Sequence, residues 1–246
     1  MRNIKLTIEY DGKDFNGWQK QPNKLNIQGN IEQAIYAITG EKVELNASGR
    51  TDAGVHSFGQ VANFKTNSNL PIEKFAVAIN SKLKKSIVIK KAEEVDERFH
   101  SRYNCKKKTY RYVINNSFEG SAIYRYLEYH MPTKLNVEDM KKAIKYFEGV
   151  HDFSAFKASG TSSKSSVREI YLAEIKQENE RIYIELTGNG FLYNMVRIIA
   201  GTLVDVGLGK INPDDIPEII NSKKRINAGK TLPAHGLYLV NVEYEN

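Results

Sequence analysis

The chain has 246 residues, of which 41% are hydrophobic and 26% charged, a composition typical of folded globular proteins and not of disordered ones. Its formal net charge of +7 favours an anionic partner such as a nucleic acid or an acidic membrane surface, although a merely basic soluble protein has the same balance. The single cysteine, Cys105, excludes an internal disulfide and a thiolate zinc cluster, and with no apolar signal segment or membrane-length apolar run we expect a soluble cytoplasmic protein.

The first half of the chain is predicted to alternate strands and helices. Alternating apolar side chains indicate half-buried strands, whereas apolar residues three and four apart indicate helices. These patterns predict, in chain order, a strand at 4–10, a helix at 27–38, strands at 43–47 and 60–66, and a helix at 72–83. Asn26 is placed to cap the first helix and Gly40 to end it. The turn-rich loop at 48–59 joins two strands and is a good position for functional residues.

The second half mixes strands and helices in a similar way. The patterns predict a strand at 109–114, a helix at 137–147, two strands joined by a turn at 178–180, helices at 192–203 and 212–225, and a strand at 237–244. The polar run 158–166 is predicted to be a surface loop. The fold class is therefore predicted as α/β (α+β), with halves 1–105 and 106–246 sharing a largely antiparallel mixed sheet with flanking helices.

The densest group of chemically active residues is the run Gly49–His56, which reads GRTDAGVH. Asp52 follows Arg50 by two residues, and the flanking glycines allow a tight backbone path that would present the carboxylate. An ionised carboxylate with a clear approach can act as a nucleophile. The alternative is an aspartate that closes a turn or caps a helix. His56 is a candidate proton carrier, with a structural or RNA-facing role as the alternative.

Two further positions are candidates for binding and charge pairing. In the segment Lys106–Tyr112 cations and aromatic rings alternate, and on a strand Tyr110 and Tyr112 share a face on which bases could stack. A core strand with a basic lead-in is the alternative. Arg197 lies among apolar residues of a predicted helix, so it needs an anionic partner, either a functional carboxylate or a structural glutamate. No phosphate-binding, dinucleotide-binding or serine-hydrolase motif occurs, which favours a cofactor-free reaction.

Five segments, in order and spread over nearly the whole chain, carry a resemblance to a known family. They are Tyr10–Gly12 leading to Gly17–Gln19, Gly49–His56, the strand containing Tyr110, Gly190–Arg197, and Gly236–Tyr238. Together they resemble the tRNA pseudouridine synthase A family. One departure is His235, which stands where the family more often has glutamate and which therefore has no assigned role.

The resemblance implies the pseudouridine synthase fold and an isomerase that converts uridine to pseudouridine at positions 38, 39 and 40 of the tRNA anticodon stem-loop. It implies no metal or organic cofactor, tRNA as partner, no membrane, and a homodimer. By position Asp52 is the nucleophile, attacking either the uracil ring or the ribose. Tyr110 stacks on the target base and is a candidate general base, and Arg197 pairs with Asp52 and keeps it ionised.

The resemblance also implies a substrate-binding set of Arg50, Tyr110, His56 and Leu237. A base inside a stem must be flipped out before it can react, and Arg50 would fill the space that the uridine leaves.

Two other classes of protein remain as alternatives. A non-catalytic RNA-binding protein or RNA chaperone would keep the basic surface without a working site. A glycoside hydrolase would use Asp52 with a second carboxylate as general acid. The residues matched beside Asp52 are Tyr110 and Arg197, and neither is a carboxylic acid, so the hydrolase ranks below the synthase.

Overall fold

The structure is a computed structural model that describes residues 1–160 and 165–245. The residues at the centre of the predicted polar loop, 161–164, lie outside this description. The described chain contains ten strands and five α-helices: β1 Arg2–Tyr10, α1 Ile27–Thr39, β2 Asn46–Ala47, β3 His56–Thr66, α2 Ile72–Asn80, β4 Ile87–Val95, β5 Cys105–Asn115, β6 Tyr129–His130, α3 Val137–Ile144, β7 Gly149–Asp152, β8 Val167–Glu178, β9 Arg181–Gly188, α4 Met195–Gly207, α5 Ile216–Ser222 and β10 Leu237–Tyr244.

The chain forms two compact units. The first unit comprises Met1–Lys106 together with the C-terminal segment from Tyr238, and the second unit comprises Lys107–Leu237. The sequence division between residues 105 and 106 had grouped the last strand with the second half. In the structure most of β10 belongs to the first unit, where it pairs in parallel with β3.

The first unit is built around β1, which pairs in antiparallel fashion with β3 on one side and β4 on the other. The predicted alternation in β1 is confirmed, because Ile4, Leu6 and Ile8 are fully buried and pack with the apolar faces of α1 and α2. The predicted ends of α1 are also confirmed. The Asn26 carboxamide oxygen accepts a hydrogen bond from the Gly29 N–H at 2.8 Å, and Gly40 adopts a left-handed φ of 73° at the end of the helix.

Several boundaries in the first unit differ from the prediction. β3 begins at His56, so the end of the predicted loop 48–59 is strand, and β2 covers only Asn46–Ala47 of the predicted 43–47. α2 ends at Asn80, before Leu83. β4 was not predicted. Its register against β1 shifts between Thr7 and Ile8, and this irregularity breaks the alternation on which sequence-based detection of strands depends.

The strands of the second unit pair mostly in antiparallel fashion. β9 pairs with β5 and β8, β7 pairs with β8, and the short β6 runs parallel to β5. The predicted hairpin turn is confirmed, since Glu178 pairs with Arg181 and Asn179 has a positive φ of 53°. α4 is the central helix and packs against α3. Three buried rings, Phe147, Phe153 and Phe156, add edge-to-face contacts to this core.

Two helix predictions in the second unit are corrected. α4 begins at Met195, so Leu192 of the predicted stripe precedes the helix. α5 ends at Ser222, and Lys223 takes a left-handed conformation with φ 54°, so the three cations predicted for its last turn lie beyond the helix. The mixed α/β class with mainly antiparallel strand pairs is confirmed within each unit. Among the described residues, no helix combines the length and apolar character that crossing a bilayer requires.

Candidate active site

The segment from residue 48 to residue 55, here called the Asp52 loop, connects β2 to β3. It begins with a hydrogen bond from the Ser48 N–H to the Val61 carbonyl at 2.8 Å and ends with one from the Val55 N–H to the Asp52 carbonyl at 3.2 Å. Gly54, with φ 79°, is the third residue of this last turn, a position that favours glycine. The turn uses the main-chain oxygen of Asp52, so its carboxylate is not required to close it.

Two glycines allow the chain before α1 to lie directly against the Asp52 loop. A Cβ atom at Gly12 would stand 2.0 Å from the Val55 carbonyl oxygen, and one at Gly17 would stand 2.6 Å from the Thr51 carbonyl oxygen. Backbone hydrogen bonds use this close approach, since the Trp18 N–H donates to the Thr51 carbonyl at 3.0 Å. A side chain at either glycine would therefore force the two backbones apart.

Buried polar side chains fasten the same loop at both ends. The Tyr10 and Thr51 hydroxyl oxygens are 2.8 Å apart and share a hydrogen bond. Burial raises the pKa of the Tyr10 phenol to about 12, so this hydroxyl stays protonated at neutral pH. At the other end, the Gln60 carboxamide accepts from the Ser48 hydroxyl at 2.6 Å and donates to the Gly49 carbonyl at 2.9 Å. The backbone on either side of Arg50 and Asp52 is thus fixed.

The predicted site residues of the first unit differ in exposure. Arg50 is exposed and Asp52 is half-buried, whereas His56 is only 2% exposed. The Nδ1 atom of His56 lies 3.1 Å from both the Gly12 N–H nitrogen and an Asp11 carboxylate oxygen, and its ring stacks on Tyr238 with centroids 4.9 Å apart. These contacts favour the structural alternative for His56, and its role in substrate binding stays a prediction.

Tyr110 lies on β5 in the second unit, opposite Leu186 of β9. Its half-buried ring makes an edge-to-face contact with Phe191, with centroids 5.1 Å apart. Tyr112, two residues along the strand, is fully buried, and its hydroxyl donates to the Pro233 carbonyl at 2.8 Å. Burial raises the pKa of Tyr112 well above its usual value, although the nearby charge of Arg197 acts in the opposite direction. Of these two rings, Tyr110 is the one that is partly exposed.

Arg197 lies in the first turn of α4 with its guanidinium held by neutral oxygens. Its Nε donates to the Leu232 carbonyl and its Nη1 to the Asn194 carboxamide oxygen, each at 2.7 Å. The segment that carries Leu232 lies close to α4, because Gly201 has no side chain: a Cβ atom there would be 1.9 Å from the Lys230 carbonyl oxygen. These two contacts orient the guanidinium.

Leu237, the last residue of the second unit, is nearly buried. It follows Gly236, where a Cβ atom would meet the Tyr112 ring at 2.7 Å, so this glycine lets the chain pass across the tyrosine. Arg197, Tyr112 and the segment 232–237 therefore form one connected group in the second unit. His235 lies in a short 3₁₀ turn of that segment and still has no assigned role.

Each unit gathers part of the predicted site. The first contains Arg50, Asp52 and His56 within one loop and the start of the next strand, and the second contains Tyr110, Arg197 and Leu237. The sequence interpretation missed the supporting side chains: Tyr10, Thr51, Gln60 and Asn194. Tyr10, Thr51 and Asn194 stood inside segments that carried the family resemblance, and this was the one sequence signal that could have singled them out.

Comparison with known proteins identifies the family of the chain. The chain matches the family described as tRNA pseudouridine synthase over residues 6–104 and 143–245. It is 55% identical over 244 residues to tRNA pseudouridine synthase A of Acetivibrio thermocellus and 56% identical over 245 residues to that of Caldicellulosiruptor saccharolyticus. It is also 52% identical over 244 residues to tRNA pseudouridine synthase A 2 of Clostridium perfringens. Each alignment covers 99% of this chain and 100% of the relative. The chain therefore belongs to the tRNA pseudouridine synthase family.

Proposed function

We propose that the chain isomerises uridine to pseudouridine in the anticodon stem-loop of tRNA, with Asp52 as the nucleophile. Membership of the tRNA pseudouridine synthase family makes it an isomerase that acts on tRNA. The anticodon stem-loop as the target region, with positions 38 to 40, comes from the resemblance to the synthase A family. Full-length similarity to relatives named tRNA pseudouridine synthase A supports this assignment.

The assignment of Asp52 as the nucleophile is supported by the hydrogen bonds that hold its loop in place. The residue before it, Thr51, is bonded through both its main chain and its side chain, and Gly54 two residues later is fixed in a turn. A covalent nucleophile must be held at a fixed distance from the carbon that it attacks, because small displacements cost large factors in rate. A fastened, half-buried aspartate meets this requirement.

The reaction breaks the bond between the ribose and N1 of uracil, forms a new bond to C5 of the base, and moves one proton from C5 to N1 overall. In our proposal the Asp52 carboxylate attacks either the ribose carbon, from which C5 of the base displaces it, or the uracil ring, from which it is released after the new bond has formed. Tyr110 stacks on the base, and its hydroxyl oxygen is the candidate acceptor for the C5 proton. No step in this scheme consumes an oxidant, a reductant or a nucleotide.

The remaining predicted residues take supporting roles in the proposal. Arg197 is assigned, on the resemblance, as the cation that keeps Asp52 ionised, a role that suits a guanidinium held in one orientation by Leu232 and Asn194. Arg50 would occupy the space of the flipped uridine, and its exposed side chain suits insertion. His56 and Leu237 are proposed as further substrate contacts. A homodimer is also proposed, from the resemblance, and a cytoplasmic location, from the composition of the sequence.

The test is conversion of unmodified tRNA transcripts by purified protein, followed by pseudouridine mapping at single-nucleotide resolution. We expect wild-type protein to form pseudouridine in the anticodon stem-loop, and Asp52→Asn to form none while binding tRNA with a similar Kd. Asp14→Asn is the matched control, because it removes one charge from an exposed aspartate of the same unit and should leave turnover unchanged.

Each other result has a distinct meaning. Turnover by Asp52→Asn would remove the nucleophile role. Pseudouridine outside the anticodon stem-loop would contradict the proposed target region. If wild-type protein bound several folded tRNAs and modified none, the non-catalytic RNA-binding alternative would replace the synthase, and release of free uracil would favour a hydrolase.

A further inference from the structure

We propose that Tyr10 is a positioning residue for Asp52, acting through its hydroxyl contact with Thr51. The inference rests on the proposed role of Asp52. It adds a residue that neither the sequence interpretation nor the family resemblance assigned to the reaction.

Tyr10 is well suited to be a fixed anchor. It is the last residue of β1, and its main chain is opposite Ser57 of β3 on one side and Ile87 of β4 on the other. The ring is 3% exposed and lies against Trp18, with ring centroids 6.2 Å apart. Sheet pairing on both sides and burial in the core therefore leave the phenol little freedom to move.

The hydroxyl of this fixed ring reaches the residue next to the proposed nucleophile. Tyr10 and Thr51 are 41 positions apart in the chain, and their hydroxyl oxygens meet at 2.8 Å in a buried contact. The Thr51 carbonyl accepts a second hydrogen bond from the Trp18 N–H. Residue 51 is thus held at its side chain and its main chain, so the peptide that leads into Asp52 has a defined position and orientation.

The fastening at the other end of the loop is of a different kind. Gln60 holds Ser48 and Gly49, which precede Asp52 by four and three residues. The main-chain bonds of Arg50 separate these contacts from Asp52, and rotation about those bonds weakens their effect on the position of the carboxylate. The Tyr10 contact acts one residue away, so its loss shifts Asp52 directly. A displacement on the order of 1 Å at a reacting group can cost about 100-fold in rate.

The experiment compares variants that remove single hydroxyl groups, using single-turnover conversion at saturating tRNA, tRNA Kd, and hydrogen exchange of the peptide that covers residues 48–55. Tyr10→Phe and Thr51→Val each remove one partner of the contact. Tyr244→Phe is the matched control, because that hydroxyl donates a hydrogen bond of the same 2.8 Å length to the Ser101 carbonyl in the same unit. Thr51→Ser tests rescue, because it keeps a hydroxyl at residue 51.

We expect Tyr10→Phe and Thr51→Val each to slow single-turnover conversion on the order of tenfold with Kd changed less than twofold, and to speed exchange in the 48–55 peptide. The double variant should be slowed by less than the product of the two single effects, because both substitutions remove the Tyr10–Thr51 contact, whereas Tyr10→Phe also removes the interactions of this hydroxyl with Gln60 and Ser57. Thr51→Ser should recover most of the rate, and Tyr244→Phe should change neither rate nor exchange. The effect of Tyr10→Phe should be the same from pH 6 to pH 9, since the phenol stays protonated throughout.

Unchanged rate and exchange in Tyr10→Phe would overturn the inference, as would an equal loss in Tyr244→Phe. Slowing that depended on pH would assign Tyr10 to proton transfer instead and would also overturn it. If wild-type protein made no pseudouridine, the proposed function would fail, and the exchange comparison would still decide whether Tyr10 fastens the Asp52 loop.

Discussion

At the scale of single residues, the candidate site depends on contacts between positions far apart in the chain. Asp52 and Arg50 could be found from the sequence, because a carboxylate and a guanidinium between glycines form a local pattern. Tyr10 and Gln60 could not, since their function is defined by partners 41 and 12 positions away. The alternating pattern of a strand predicts that Tyr10 is buried. It does not predict which side chain forms a hydrogen bond with the Tyr10 hydroxyl.

A substitution at Tyr110 can separate the stacking role proposed for its ring from the proton-transfer role proposed for its hydroxyl. We expect Tyr110→Phe to keep the stacking surface, and with it tRNA affinity, while losing roughly 100-fold or more in single-turnover rate if the hydroxyl accepts the proton. Rate and Kd measured on the same tRNA transcript check this.

Tyr183→Phe is the control, because it makes the same change at a half-buried tyrosine on the adjacent strand β9. Full activity in Tyr110→Phe would assign proton transfer to another group and leave Tyr110 with a stacking role only.

At the scale of elements, caps and turn residues made several boundaries predictable. The start of α1 followed from Asn26, the β8–β9 hairpin from its turn residues, and the bounds of β10 from its alternation. β4 was missed because its irregular pairing breaks that alternation. The predicted end of α5 was wrong because the backbone of Lys223 adopts a left-handed conformation, and a lysine gives no local signal for that conformation. Sequence patterns report regular structure and miss its irregularities.

The packing of α4 gives a prediction about stability. In an open helix, Gly201→Ala would stabilise by up to about 1 kcal/mol through helix propensity. Here the added Cβ would be 1.9 Å from the main-chain oxygen of Lys230, which no side-chain rotation can relieve. We expect a net loss of about 2–4 kcal/mol in the free energy of unfolding, measured by urea denaturation.

Gly190→Ala is the control for this experiment. A Cβ atom there would have the Arg168 Nε atom as its nearest neighbour at 3.7 Å, an ordinary contact. Equal stability of the Gly201→Ala and Gly190→Ala variants would contradict the close packing of α4 against the segment 229–232.

At the scale of the whole molecule, composition predicted a basic globular protein and the alternating patterns predicted its mixed class, because both properties are sums over many residues. The assignment of β10 to the first unit was not predictable from local patterns, since a strand's spacing does not say with which distant strand it pairs.

Acid should destabilise the protein through carboxylates that the fold keeps ionised. Hydrogen bonds from Ser154, with support from Lys223, lower the pKa of Asp152, and Lys145 lowers that of Glu148. A carboxyl whose pKa is lower in the folded state contributes stability above its unfolded pKa of about 4 and loses that contribution as the pH falls through the folded value. We therefore expect Tm to be steady near neutral pH and to fall below about pH 5.

Asp152→Asn tests this linkage. The variant should have a lower Tm than wild type at pH 7, and the difference should shrink as the pH falls through the lowered pKa of the folded wild-type carboxyl. Asp14→Asn, at an exposed position, serves as the control for the change in net charge. A constant Tm difference across the pH range would show that Asp152 acts through packing and not through its charge.

The return of β10 to the first unit has a consequence for synthesis. A ribosome releases the chain from its N-terminus, so β3 emerges long before β10, and Tyr238, which stacks on His56, appears only after the second unit has been made. The first unit therefore stays incomplete until the second unit has been synthesised. A product of premature termination would lack β10 and expose the edge of β3 with which it pairs. Proteases and chaperones can recognise such an exposed edge and so distinguish truncated chains from finished ones.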